Sequence, residues 1–237
     1  MQISVFHTPE LVPTEGLPDC AIAIDVLRAT STMATALANG AAAVHVHADL
    51  ASLNTASDGW PAEKVVRGGE RNGKQVEGFD FGNSPFYCTA ENVGGKQVFM
   101  STTNGTRTLQ RIQACPTVLT AAFVNVGFVA DFVRIQDFAT VWLVGSGWQG
   151  SYSLEDTACA GALVALLGGA ANDEAVAASA LYTTWQQDLL GLLKKASHGQ
   201  RLLNLNCLED LKYCSEIDTV RAVPLQQEPG ILIQGLK

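Results

Sequence analysis

The chain is 237 residues long, 47% hydrophobic and 16% charged, with a formal net charge of -8. That balance excludes a disordered polymer, and an acidic surplus without any basic run excludes nucleic acid or an anionic membrane surface as partners. No stretch has the uninterrupted apolar length of a membrane span, and the segment from Met1 to Phe6 reads as a first strand and not as a signal peptide.

In chain order, β-rich runs are expected at residues 3–6, 21–26, 43–47, 65–67, 97–100, 117–120, 140–144, 220–225 and 231–234. Helical windows follow many of them, at 31–39, 50–56, 106–114, 126–135 and 154–167. Beyond Asn172 the chain turns mostly helical, through 173–185, 188–196 and 208–213. Ser84-Pro85 and Ser153 carry helix-start signals, and Gly168-Gly169 carries a stop signal. The alternation is that of an α/β protein, and residues 1–237 are taken as a single domain, with no repeat or linker between parts. The six cysteines are scattered without a CxxC pair, which reads as buried reduced thiols and points to the cytoplasm.

Four segments carry candidate chemistry, each with a plainer reading beside it. In Ile24-Asp25-Val26-Leu27-Arg28, an apolar strand ends at an acid and an arginine, where α/β proteins hold their ligands. The plain reading is an aspartate capping the next turn. The second segment runs from Gly68-Gly69-Glu70-Arg71-Asn72-Gly73 to Gly78-Phe79-Asp80-Phe81-Gly82-Asn83-Ser84-Pro85 and sets Glu70 and Asp80 among glycines and aromatics. It is either a functional loop or a long surface connection. In the third, Ser101-Thr102-Thr103-Asn104-Gly105-Thr106-Arg107, a strand enters a hydroxyl-rich turn at a helix N-terminus. Such a turn suits an anion, and equally an ordinary Asn-Gly turn. The fourth places Glu155 and Asp156 in the first turn of a helix behind the loop Gly145-Ser146-Gly147-Trp148-Gln149-Gly150. Acids are favoured there by the helix dipole alone. His45 and His47 share a strand face without a third ligand and read as structural.

Familiar phosphatase chemistries are absent. No cysteine is followed by an arginine at phosphatase-loop spacing, His198-Gly199 follows Ser197 where an RHG signature needs arginine, and Leu27 stands where a DxDx[TV] box needs its second aspartate. A G-x-S-x-G elbow is missing as well. The remaining carboxylates suit a hard, oxygen-ligated cation such as Mg²⁺.

Taken together these segments resemble the 2-phosphosulfolactate phosphatase family. The resemblance continues through Glu155-Asp156-Thr157-Ala158-Cys159-Ala160-Gly161 and the late stretch with Ser197-His198-Gly199, Asp210, Cys214, Asp218 and Val223-Pro224. It implies a three-layer α/β/α fold with a mostly parallel or mixed central sheet. It further implies Mg²⁺-dependent hydrolysis of 2-phospho-3-sulfolactate, a step of coenzyme M synthesis in the family's best-known setting. On that basis Asp25, Arg28, Glu70 and Arg71 are expected to be catalytic. Thr102, Thr103, Asn104, Gly105 and Thr106 are expected to hold phosphate, and Asp25, Asp80, Glu155 and Asp156 the metal. Arg28, Arg71 and Arg107 would supply local positive potential in an acidic protein. Water activated by the metal, or Asp25 itself, would attack phosphorus. A non-catalytic binder of small phosphorylated or sulfonated acids is one competing function, a phosphatase of the same fold acting on another small organic phosphate is a second, and a homodimer is the default assembly.

Overall fold

A computed structural model describes residues 1–71, 74–102 and 104–235. Its elements alternate from the start: β1 (Gln2–Phe6), β2 (Cys20–Ile24), α1 (Ala29–Ala38), β3 (Ala43–Val46), α2 (Leu50–Asp58), β4 (Val65–Arg71) and β5 (Lys74–Gln75). The middle of the chain forms α3 (Ala90–Val93), β6 (Gln97–Ser101), α4 (Gly105–Ile112), β7 (Thr117–Ala121), α5 (Val126–Gln136) and β8 (Thr140–Gly145). Then follow α6 (Leu154–Leu167), α7 (Asp173–Trp185), α8 (Leu189–Lys195), α9 (Ser197–Asn204), α10 (Leu208–Cys214), β9 (Pro224–Glu228) and β10 (Ile231–Gln234). Among the described residues no helix is long and apolar enough to cross a membrane.

The strands form one mixed sheet of order β1-β8-β2-β7-β9-β10-β3-β6-β4-β5. Two parallel blocks, β1-β8-β2-β7 and β3-β6-β4, flank the antiparallel hairpin β9-β10. The hairpin makes the blocks run in opposite senses, so in a flat sheet the ends of β2 and β6 would lie far apart. The chain beyond β6 nevertheless reaches the end of β2, since Gly105 approaches Asp25 and Ala29 closely.

The sheet is the middle layer of a three-layer α/β/α fold. Its core strand β2 is buried on both faces, and its residue sizes alternate. Cys20, Ile22 and Ile24 join the cluster with residues of α5, α6, α7 and α8, while Ala21 and Ala23 face Met33 of α1 and Leu109 of α4. The small side lets α4 pack directly on β2. Helix α1 is rich in buried hydroxyls that bond to backbone instead of water: Thr30 Oγ1 donates to Ala121 O (2.7 Å) and Ser31 Oγ to Val26 O (2.8 Å).

Most expected elements are present, with instructive shifts. Residues 65–71 form one strand where a loop was expected from Gly68 onward, because β4 continues its ladder with β6 as far as Gly69 opposite Ser101. Its glycines serve close packing. Phe81 covers Gly68, where a Cβ would overlap the ring, and Phe79 lies 2.9 Å from a Cβ built on Gly69. Helices α3 and α9 were not foreseen, and β9 starts at Pro224, later than the expected run from Val220.

Candidate active site

Asp25 leaves the end of β2 and is only 6% exposed. Its amide donates to Thr30 Oγ1 (3.0 Å), and its Oδ1 accepts from Ala29 N (3.2 Å) in the first turn of α1. Opposite stands Gly105, the first residue of α4. A Cβ there would lie 2.8 Å from Ala29 Cβ and 2.9 Å from Asp25 Oδ2, so the approach requires glycine. The Gly105 backbone amide also favours the ionised form of the Asp25 carboxylate. Two helix N-termini therefore converge on one acid.

The turn before Gly105 is held by local bonds: Thr102 N donates to Thr106 Oγ1 (3.1 Å), and the two hydroxyls lie 3.4 Å apart. Asn104 is buried and makes no side-chain cap to the helix it precedes. Thr103 lies outside the described residues, as do Asn72 and Gly73. Thr108 Oγ1 donates to Ser146 Oγ (2.9 Å), tying α4 to the loop after β8.

That loop and α6 supply two more acids. Asp156 Oδ1 accepts from Val26 N (2.9 Å) and Oδ2 from Gly147 N (3.3 Å), so one carboxylate bridges the exits of β2 and β8. Ser153 caps α6 through Asp156 N (3.3 Å). Glu155 is 2% exposed, with His198 Nδ1 3.9 Å from its Oε1. Burial pushes the carboxyls of Asp25, Glu155 and Asp156 above the usual range, and each is pushed further by a neighbour: Asp25 by Glu70, Glu155 by Asp25, and Asp156 by both Glu155 and Asp25. His198 is held down to about 3 by burial and by the nearby Arg28 and Arg201, so its ring is neutral at pH 7.

The expected cations are largely engaged. Arg28 forms a buried ion pair with Asp210 of α10, whose other oxygen accepts from Ser84 Oγ (2.7 Å). Arg71 donates to Glu70 O (2.7 Å) and, at the end of β6, to Ser101 Oγ (2.8 Å). Arg107 faces Glu10 (3.2 Å) at the surface. Asp80 is placed apart from the acids around Asp25: its Oδ2 accepts from Arg67 N (2.7 Å), and it lines a separate hollow of about 430 Å³ with Asp58, Trp60 and Arg67.

Sequence reasoning missed the partner of Arg28, the stacking of His198 on Trp148, and Asn83, whose buried Oδ1 has no hydrogen-bond partner among the described residues. Asp210 and His198 sit on short amphipathic helices, where an acid or imidazole reads as surface. Only the chain path turns them inward. Among the described residues no three His, Cys, Asp or Glu side chains form a set that could hold a metal unaided. The acids nevertheless suit Mg²⁺, which keeps waters and takes one or two carboxylates plus substrate phosphate. Three buried acids whose nearby arginine is already paired need either protons or a cation.

Comparison with known proteins bears on this site. A family model described as 2-phosphosulpholactate phosphatase matches residues 6–229. A protein of Gloeobacter violaceus named "Probable 2-phosphosulfolactate phosphatase" is 70% identical over 236 residues, covering 100% of both chains. Relatives with the same name from Cyanothece sp. and Synechocystis sp. are 57% and 55% identical, each covering 98% of this chain and 99% of their own.

Proposed function

Because this chain belongs to the 2-phosphosulpholactate phosphatase family, we propose that it hydrolyses 2-phospho-3-sulfolactate to sulfolactate and phosphate with Mg²⁺. The observation that carries this reading is the meeting of Asp25, Glu155 and Asp156 with the N-terminus of α4 at Gly105. Backbone N–H groups and the hydroxyls of Thr102 and Thr106 hold the phosphoryl oxygens where charge builds in the transition state. Asp25 is the reacting carboxylate, as nucleophile or as base to water. Asp25, Glu155 and Asp156 would hold the cation, since each Asp156 oxygen accepts one backbone amide and keeps a second lone pair. Bound Mg²⁺ supplies electrostatic stabilisation of the phosphoryl group. Arg71 braces the end of β6 through Ser101, and Glu70 acts electrostatically on Asp25. Asp80 clasps the edge of β4, and we assign it no ligand role.

A reducing cytoplasm is the compartment we propose, supported by cysteines that are all free, most of them buried. The deciding measurement is phosphate release from 2-phospho-3-sulfolactate with Mg²⁺ and with EDTA. Loss of turnover in EDTA and its return with Mg²⁺ are expected, and turnover that ignores EDTA removes the metal from the scheme. No turnover of any small phosphoester alongside tight sulfolactate binding would make the protein a binder. Substituting Asp25→Asn is expected to lower kcat by about 10³-fold or more.

A further inference from the structure

The loop that fixes Asp156 also carries an aromatic platform. Next to Gly147, Trp148 lays its indole against α9. His198 stacks on it with ring centroids 4.0 Å apart and planes 16° apart, and the Arg201 guanidinium carbon lies 5.5 Å from the ring centroid. His198 and Arg201 are one turn apart on the same face of α9, so one indole meets both. Trp148 and His198, with Tyr152, Ser153, Glu155 and Lys195, line a hollow of about 160 Å³. Glu155 belongs both to this hollow and to the acid cluster, so the two spaces adjoin.

The cations nearest the phosphoryl site are occupied: Arg28 by Asp210, Arg107 by Glu10, and Arg71 by Ser101 and the Glu70 carbonyl. Arg201 and Lys195 differ. Among the described residues neither has a carboxylate partner; their recorded neighbours are Trp148 and Trp185. A guanidinium stacked on an indole is pre-oriented, and its N–H edge stays open to an oxyanion. A substrate carrying a second anion, lodged beside buried acids, needs such cations at its far end.

We propose that this hollow receives the organic-acid end of the substrate, with Arg201 and Lys195 selecting phosphoesters that bear a second strong anion. The proposal rests on the assignment of the phosphoryl group to the acid cluster. Trp148 and His198 form the wall against which the carbon skeleton lies, Lys195 lines the hollow, and Arg201, outside the lining but over the same indole, would meet the carboxylate or sulfonate at the rim.

The test compares 2-phospho-3-sulfolactate, 2-phospholactate and isopropyl phosphate with the wild type, Arg201→Met, Arg201→Lys and Lys195→Met. In the two methionine variants, kcat/KM for 2-phospho-3-sulfolactate is expected to fall about 10- to 100-fold relative to that for isopropyl phosphate, with partial recovery in Arg201→Lys. An equal fall with 2-phospholactate marks the carboxylate as the anion held, and its retention marks the sulfonate. Equal losses on all three substrates, or no loss, would overturn the proposal. If the wild type hydrolyses none of them, the phosphatase reading fails separately. Calorimetric binding of sulfolactate then decides the subsite: weakening of about tenfold or more in Arg201→Met supports it, and unchanged affinity sinks it.

Discussion

At the scale of single residues, the site depends on how closely backbone can approach Asp25. Gly105 does not need glycine for a left-handed backbone. It needs it because Ala29 Cβ and Asp25 Oδ2 occupy the place of a side chain. Ala29 Cβ is fixed by its backbone and the Asp25 carboxylate is tied to Ala29 N, so Gly105→Ala must push α4 or Asp25 aside. The expected cost is about 1–3 kcal/mol of stability, with a fall in kcat/KM of about 100-fold. Gly82→Ala is the control. Its nearest neighbours would be 3.6 Å from the new Cβ, and denaturant unfolding should place it within about 0.5 kcal/mol of wild type.

At the scale of elements, α10 acts as a clasp on the site through one buried ion pair. Arg28 and Asp210 side chains are each 7% exposed, and Ser84 adds a hydrogen bond to the same carboxylate. Removing one partner leaves a buried charge without compensation, so Asp210→Ala is expected to cost about 3–5 kcal/mol in urea unfolding. The double variant Arg28→Met/Asp210→Leu should recover much of that stability without recovering activity. A double variant as unstable as Asp210→Ala would show that the pair is not the source of the loss. A second interlock lies between α6 and α7, where Gly161 is pressed against the carbonyl of Ala178 and a methyl group would overlap it.

For the whole molecule, the buried acids tie folding to pH and to cations. Their folded pKa values are raised, so the unfolded chain releases these protons at lower pH than the folded one. Their contribution to stability is complete below the unfolded carboxylate range and is lost as pH rises, for Glu155 from 4.5 toward about 7. The metal-free protein should therefore melt at lower temperature at pH 7.5 than near pH 5, as far as these groups decide it. Glu155→Gln should raise the metal-free Tm at pH 7.5 by a few °C, on the order of 2–4 °C per kcal/mol, with little effect near pH 4. Saturating Mg²⁺ should raise the wild-type Tm and leave Glu155→Gln nearly unmoved, which scanning calorimetry can follow. A Glu155→Gln protein less stable at pH 7.5 would contradict the account.

Strand and helix periodicity, the glycine–acid segments and their order were open to reading along the chain, because each is set by neighbours within a few residues. Asp25 and the turn at Gly105 stood out as an acid and a glycine just beyond a strand, and Glu155 and Asp156 as acids in the first turn of a helix. Tertiary structure alone decided which of them meet. The hairpin β9-β10 reverses one parallel block against the other, and long-range packing still lays the turn after β6 against the end of β2, a result that no local pattern carries. The same long-range packing places Asp80 at the edge of β4, gives Arg28 its partner on α10, and lays His198 and Arg201 of α9 against Trp148.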